Sequence, residues 1–250
     1  LNSRFYYKSI LMDYSYKYFY NDGYGKDYRI FNMKTGEQGD DQRILYLTGC
    51  LMSFYQQKKV FQHDEIQLRP FNIEDPLLVF VGNRVTSTTS AEELTDVEDV
   101  IMFIDQFVRN KQQTIHRIEL VLSGHTGLMN SNGQDIFSHD FTPLQDYCTN
   151  WTPEDYYDDI LRLLFNTTTN ADEPRLHLDH IRQAGEIAMR IGEDGEYFGV
   201  ISIGDTTKLI SSCEKKGVVI RQDAFIENSL FENINKKGSK INVLVGSRKF

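Results

Sequence analysis

Three segments of the chain combine an apolar run, a glycine and then polar or basic side chains. They are residues 77–84 (LLVFVGNR), 199–206 (GVISIGDT) and 241–248 (INVLVGSR). Ligands of open α/β sheets bind beyond the carboxyl ends of the strands, where a glycine lets a backbone approach a phosphate closely. Because glycine is common at any turn from strand to helix, these segments indicate an α/β fold more firmly than they indicate a function.

The sequence lacks the phosphate-binding loop of a nucleotide-hydrolysing enzyme. Such a loop needs the pattern GxxxxGK[ST], because its backbone amides and lysine cradle phosphates and its hydroxyl holds magnesium. The only Gly-Lys pair is Gly25-Lys26, with Asp27 after it and Tyr20 at the position of the first glycine. We therefore expect no ATP hydrolysis by this chain alone.

Other catalytic and metal-binding patterns are weak. His177, Asp179 and His180 could suggest metal ligands, but on a strand only His177 and Asp179 would share a face. A polar strand face is the simpler interpretation. No GxSxG nucleophile elbow occurs, and the electrostatics of a helix start explain the acidic run 154–159. A stand-alone hydrolase is therefore the least favoured function.

The composition is that of a globular protein with an acidic body and a basic end. The 250 residues carry a net charge of -9, and no apolar run approaches the ~20 residues that span a bilayer. Residues 206–250 contain nine Lys/Arg and four Asp/Glu, a local charge of +5. Such a basic end can face phosphates, or its lysines can be solvated helix ends. Three separated cysteines without CxxC spacing are typical of a reducing cytoplasm.

Strands are predicted where the apolar runs occur. A run that is apolar at every position, such as 77–81, is typical of a strand buried on both faces in a parallel sheet covered by helices. Further strands are expected at 199–203 and 241–245. The segments 176–181 and 186–191 flank Ala-Gly and predict an antiparallel hairpin.

Helices are expected between these strands. The capping pattern Thr-Asp-Val-Glu at 95–98 begins a helix with apolar residues at helical spacing. Thr-Pro-Glu-Asp at 152–155 begins another, which runs to about Phe165. Residues 111–150 are less regular and are interpreted as an insertion. Additional helices are predicted over residues 1–20, about 42–62, 206–216 and about 227–235.

Three stretches resemble the second RecA-like domain of the Res-subunit helicases of type III restriction enzymes. Residues 76–86 resemble the motif IV segment, residues 185–205 the middle of the domain, and residues 229–250 the approach to motif V. The resemblance covers roughly residues 5–250 and is strongest over the last fifty. It implies a superfamily 2 helicase or translocase, in which two RecA-like domains close on ATP and pull on a nucleic-acid backbone. Both ends of the chain look like cuts within such a longer protein.

The resemblance implies an α/β fold with a RecA-like parallel sheet flanked by helices. Residues 1–70 would form a helical N-terminal extension and linker, and residues 71–250 the second RecA-like domain. That domain would contain the insertion at about 111–150 and an inserted β-hairpin at about 175–192.

The resemblance also implies which residues contact nucleic acid, because motifs IV and V usually face the phosphate chain. No catalytic residue or metal ligand is expected here. ATP and Mg²⁺ would bind to the intact cytoplasmic protein rather than to this chain alone. Its partners would be DNA and the first RecA-like domain, with a modification subunit as a further candidate and no membrane. The candidate nucleic-acid-binding residues are Gly82, Asn83, Arg84, Thr86, Gly246, Ser247, Arg248 and Lys249.

Two alternatives stay open at this point. Arg84 and Arg248 could be solvated, or could pair with acidic residues of the body. The chain could also be a non-enzymatic acidic α/β module that docks a partner protein through an aromatic surface. In a motor, the same surface would pack on the first domain. The aromatic residues concerned are Tyr6, Tyr7, Tyr14, Tyr16, Tyr18, Phe19 and Tyr20.

Overall fold

The structure is a computed structural model in which the chain divides into two units, residues 1–32 and 33–250. It describes residues 14–25, 28–33, 39–82, 95–167, 174–182, 184–204, 206–222, 224, 226 and 228–247. In the described part of the first unit, helix α1 spans Tyr16–Asn21 and buries no residue. The remaining elements belong to the second unit.

The second unit contains a helical layer and a six-stranded sheet. Its helices are α2 (Asp40–Leu68), α3 (Thr95–Arg109), α4 (Lys111–Ser123), α5 (Thr142–Tyr147), α6 (Pro153–Leu164) and α7 (Thr206–Lys215), with a 3-10 turn at Arg69–Phe71. Its strands are β1 (Leu78–Gly82), β2 (Leu176–Ile181), β3 (Glu186–Ile191), β4 (Gly199–Ser202), β5 (Val219–Arg221) and β6 (Val243–Ser247). Within the described residues, no helix combines the length and apolarity needed to cross a membrane.

The sheet is mixed but mostly parallel, with the strand order β1-β6-β4-β3-β2-β5. Strand β3 runs antiparallel to both of its neighbours, β2 and β4. The pairs β1–β6, β4–β6 and β2–β5 are parallel. The predicted α/β class is therefore confirmed, and so is the predicted hairpin, which supplies β2 and β3.

The three strands that come from the segments with an apolar run and a glycine, β1, β4 and β6, stand side by side. In the register, Val243 of β6 lies opposite Leu78 of β1 on one side and opposite Gly199 of β4 on the other. Because all three strands are parallel, their carboxyl ends meet at one edge of the sheet. We call this the carboxyl edge.

Side chains of the sheet alternate between two faces, named here the front face and the back face. Helix α3 covers the back face, because Val97 lies against Gly82 of β1 and the Asp105 carboxylate accepts the backbone N–H of Leu176 at 3.3 Å. Helix α7 lies on the same face, where Thr206 contacts His180 of β2. The strand register places Val79, Val81, Asp179, Glu186, Arg190 and Arg221 on the front face.

Strand β1 departs from the prediction that it is buried on both faces. It is the outermost strand of the sheet, and its front-face residues Val79 and Val81 are 46% and 54% exposed. The back-face residues Leu78 and Phe80 are half-buried, so the apolar run reflects partial burial of one face. In β6, an inner strand, Val243, Leu244 and Val245 are all buried, so both of its faces are covered.

Two further segments differ from the sequence prediction. Residues 111–150 are not irregular throughout, since α4 occupies 111–123 and buries Ile118 and Val121. Residues 230–235 form consecutive turns instead of the helix predicted over about 227–235. Their hydrogen bonds join residues three apart, as from the N–H of Asn233 to the oxygen of Leu230 at 3.3 Å.

The helical layer packs through aromatic and glycine contacts. Helix α6 begins as predicted, with Thr152 and Asp155 forming a reciprocal capping box that satisfies free backbone N–H groups. The Tyr157 hydroxyl donates to the backbone oxygen of Val108 at 2.9 Å and ties α6 to α3. On α2, Gly49 lies directly under the ring of Phe137. This layer holds α3 against the back face of the sheet.

Candidate functional site

The carboxyl edge brings together the described members of the predicted site. Gly82 lies opposite Ser247 in the pairing of β1 with β6, and Gly246 lies opposite both Val81 and Ser202. The sequence predicts that the loops after β1 and β6 share one edge of the sheet. The ends of these two strands do lie together at the carboxyl edge. The other predicted site residues, Asn83, Arg84, Thr86, Arg248 and Lys249, lie outside the described residues.

Glycine at two of these strand ends is not required by the fold. A Cβ on Gly82 would meet Val97 at 3.6 Å and the Gly246 oxygen at 3.7 Å, which is ordinary contact, and a Cβ on Gly204 would meet nothing within 4 Å. Gly199, at the start of β4, is different, because a Cβ there would collide with the Met189 methyl group. Among the described residues, a Cβ on Gly82 would be packed and one on Gly204 would be free, so a close approach of a backbone or phosphate is favoured at Gly204.

Neighbouring strand ends add polar groups to the same edge. The Nε2 atom of His180, near the end of β2, lies 3.0 Å from the Thr206 hydroxyl at the first turn of α7. Glu186, which begins β3, is buried on the front face. Its carboxylate accepts the Ser229 hydroxyl and the N–H of Leu230 at 2.9 Å. This anchor ties the connection between β5 and β6 to the front face.

A cluster of charged side chains lies on the front face near β5. The fully buried carboxylate of Asp179 accepts two hydrogen bonds from Arg190, from Nε at 3.0 Å and from a terminal nitrogen at 3.1 Å. The Tyr197 hydroxyl donates to the same carboxylate at 2.6 Å. Arg221, the last residue of β5, donates to it as well. We call these four residues the Asp179 cluster.

The electrostatics of the cluster keep its carboxylate ionised. Burial acts to raise the pKa of Asp179, but hydrogen bonds from Arg190 and Tyr197, with the nearby guanidinium charges, outweigh it and hold the pKa below its ordinary value. Burial and the bond to Asp179 raise the pKa of Tyr197. Burial and the charge of Arg190 lower the pKa of His177. At neutral pH the cluster therefore contains one carboxylate and two guanidinium groups.

The sequence predicts Asp179 as part of a polar strand face, with a metal site as the weaker interpretation, and does not indicate its arginine partners. The predicted hairpin carried a usable signal, because pairing 176–181 with 186–191 places Arg190 on the same face as Asp179, two residue pairs away. Nothing in the sequence indicates that Arg221 joins them, since β5 was not predicted. Among the described residues, no group of three or more His, Cys, Asp or Glu side chains could hold a metal ion.

A second buried carboxylate has a similar environment in the helical layer. Asp159 of α6 accepts the Tyr55 hydroxyl at 2.6 Å, pairs with Lys59 at 3.1 Å and is contacted by the partly exposed Arg162. Asn242, just before β6, donates to the backbone oxygen of Leu164 at 3.0 Å, so α6 ends near the amino ends of the strands. This second cluster therefore lies away from the carboxyl edge.

Comparisons with family models, with curated proteins and with solved structures found no match to this chain.

Proposed function

We propose that this chain is part of an ATP-dependent DNA helicase or translocase of the type III restriction Res-subunit kind. Its contribution would be to hold the nucleic-acid backbone at the carboxyl edge of the sheet and to form one side of the interface that binds ATP. One observation carries the proposal. The strands that precede the motif IV-like and motif V-like loops are parallel neighbours, with Gly82 opposite Ser247.

The chemistry of the two loops suits a phosphate chain. The residues that follow Gly82 and Gly246 supply amide, hydroxyl, guanidinium and ammonium donors, and such donors position a backbone without reading its sequence. Because the sequence has no GxxxxGK[ST] loop, ATP and Mg²⁺ would be held by the first RecA-like domain of the same protein. The carboxyl edge would then hold the nucleic-acid strand that is moved as ATP is bound and hydrolysed.

A second candidate function is an acidic module that docks a partner protein. The observation that favours it is the exposure of the aromatic side chains in the first unit, including Tyr16, Tyr24 and Tyr28. Aromatic residues are enriched at the centres of protein interfaces. This function needs no nucleic acid and no ATP, so nucleic-acid-stimulated ATP hydrolysis separates the two proposals.

The test is ATP hydrolysis by the full-length protein with and without DNA. The variants Arg84→Gln and Arg248→Gln each remove one cation from the predicted loops. We expect each to weaken DNA binding about tenfold and to lower DNA-stimulated turnover to a similar degree at subsaturating DNA, since each loses a charge-assisted phosphate contact.

The control variant is Lys240→Gln, which removes an equal charge at the opposite end of the sheet. Lys240 precedes β6, pairs with Glu196 at 2.6 Å and is 61% exposed. Its DNA-stimulated turnover should match that of the wild type. Absence of any DNA-stimulated turnover in the full-length protein would refute the proposal. Equal losses in all three variants would show that the carboxyl edge has no special role.

A further inference from the structure

The front face of the sheet is covered over its inner strands and open over β1. The connection from β5 to β6 is fastened to this face by Glu186. In the row of residues that contains Val79, Leu244 of β6 and Val200 of β4 are both buried. Val79 and Val81 of β1 are instead 46% and 54% exposed. We call these two exposed valines the β1 strip.

The β1 strip reaches the candidate site at Val81. Val81 belongs to the last row that joins β1, β6 and β4, where it lies opposite Gly246, and Gly246 lies opposite Ser202. Neighbouring strands are about 4.8 Å apart, so Val81 is one strand spacing from a glycine of the predicted phosphate-binding loops. A nucleotide whose phosphate lies at Gly246 and Ser247 would have its sugar and base within reach of Val81.

The size of the β1 strip suits a nucleotide better than a protein. The strip is one strand wide, and its two valines stand about 7 Å apart along the strand. A stable protein interface buries about 800 Å² on each partner, which is far more than two half-exposed valines offer. The apolar part of one nucleotide is an occupant of matching size.

Charge also favours an approach over the front of β1. On the back face, the first turn of α3 carries Asp96 and Glu98, of which Glu98 is paired with Lys216. Farther along the front face, Glu186 is buried and, within the described residues, accepts hydrogen bonds from uncharged donors only. Strand β3, which carries Glu186, lies three strand spacings from β1, about 14 Å away. A phosphate chain over β1 and β6 therefore lies farther from Glu186 than one that crosses β3.

We propose that Val81, with Val79 beside it, forms an apolar contact for the sugar and base of the nucleotide whose phosphate is held at Gly246 and Ser247. This inference rests on the proposed function and extends the same site from the phosphate chain to the base. A valine side chain makes no hydrogen bonds, so the contact cannot read the hydrogen-bonding edge of a base. The competing occupant of the strip is the proposed first RecA-like domain.

The experiment measures binding of a fluorescein-labelled oligothymidylate of about 20 nucleotides to the full-length protein, between about 50 and about 300 mM NaCl. Val81→Trp offers a ring on which a base can stack, and we expect about tenfold tighter binding at every salt concentration. Val81→Thr replaces a methyl group by a hydroxyl group, and we expect about threefold weaker binding. Neither variant should change the slope of log K against log salt, because neither alters a phosphate contact.

Val219→Trp and Val219→Thr are matched controls. Val219 is a half-buried valine on the front face of β5, the other outermost strand, and it lies toward the amino ends of the parallel strands. Both control variants should bind oligothymidylate as the wild type does. The melting temperatures of all four variants show whether any substitution acts through the fold. If Val81→Trp does not fold, Val81→Thr decides, and wild-type affinity in that variant would overturn the inference.

The outcomes separate the two proposals. If the wild type binds and a folded Val81→Trp binds no more tightly, the inference is wrong, while the proposed function stands. The same holds if Val219→Trp tightens binding as much as Val81→Trp does. Unchanged binding by both Val81 variants, with a loss of DNA-stimulated ATP hydrolysis, would assign the β1 strip to the first domain and overturn the inference. If the wild-type protein binds no oligonucleotide under any of these conditions, the proposed function and the role of Val81 are both refuted.

Discussion

At the scale of single residues, the most consequential group in the second unit is the carboxylate of Asp179. It is fully buried and ionised, and a buried ion pair costs desolvation that only its partners offset. Removing one partner of such a pair leaves an uncompensated charge inside the protein. The cluster is therefore sensitive to changes at Asp179 and Arg190, and much less sensitive to changes at Arg221.

Asp179→Asn is expected to destabilise the protein by about 3–5 kcal/mol at neutral pH, because it leaves Arg190 buried without a countercharge. The pKa of Asp179 is lowered in the folded state. The contribution of Asp179 to the free energy of unfolding is therefore fully present above its ordinary pKa of about 3.9. It is lost as the pH falls through the lower pKa that Asp179 has in the folded protein. Urea unfolding from pH 8 to pH 3 should show a constant difference between variant and wild type down to about pH 5. The difference should shrink below about pH 4, and a difference that grows there would contradict the assignment.

Residue types predicted where two strands of the candidate site end. An apolar run followed by a glycine marks the ends of β1 and β6 near Gly82 and Gly246, and local sequence is enough for that inference, whereas their role as site residues was implied by the resemblance. Arg221 was not identified, because its partner Asp179 is distant in sequence and meets it only through the pairing of β2 with β5. Contacts that depend on strand order carry no local signal.

At the scale of elements, the packing of α2 against the loop that carries Phe137 depends on one glycine. Gly49 lies in the middle of the long helix α2, where glycine costs about 1 kcal/mol relative to alanine. A Cβ at this position would overlap the ring of Phe137, which is itself buried. The close approach of the ring explains why a poor helix former occupies the centre of α2.

Gly49→Ala is expected to destabilise the protein by about 2 kcal/mol, since the cost of overpacking exceeds the gain in helix propensity. Urea unfolding measures the change. In the background Phe137→Leu, where the flat ring is absent, the same substitution should cost less by about 1 kcal/mol or more. A stabilising effect of Gly49→Ala in the wild-type background would show that the ring moves aside freely.

Elements with strong local sequence signals, such as caps and turns, were predicted from the sequence. Elements whose structure depends on contacts between residues distant in the sequence were not. The hairpin 176–191 and the capped start of α6 follow from turn chemistry and capping residues. A helix was predicted over about 227–235, but residues 230–235 form turns. Its first backbone N–H groups are bound by Glu186 of β3, and its chain must then cross the front face to begin β6. The exposure of β1 was missed because the sequence does not show that β1 is an outermost strand.

At the scale of the whole molecule, charge is divided unevenly along the chain. The net charge is -9, while residues 206–250 carry nine Lys/Arg and four Asp/Glu. Two lysines of this basic segment form ion pairs within the chain, Lys216 with Glu98 and Lys240 with Glu196. An acidic surface repels nucleic acid outside the site, so binding should depend on the geometry of the edge and should need a second domain to close the groove.

The 250-residue chain by itself is expected to show no ATP hydrolysis, because its sequence has no phosphate-binding loop. If the chain is the second RecA-like domain proposed above, it should bind oligothymidylate at least tenfold more weakly than the full-length protein, since the proposed first domain would form the other side of the groove. A coupled ATPase assay and fluorescence anisotropy on both proteins measure these differences. Turnover by the isolated chain would refute the assignment of the ATP site to another domain.

The strand order has a consequence for the synthesis of the protein. Among the described strands, β6 lies between β1 and β4 and is made after both, so β1 has no neighbour among them until residues 243–247 have emerged from the ribosome. At ordinary translation rates this delay is on the order of ten seconds. Throughout it, the valines of β1 and an unpaired strand are open to chaperones and to other nascent chains. The sheet is therefore completed late, when β6 inserts between β1 and β4.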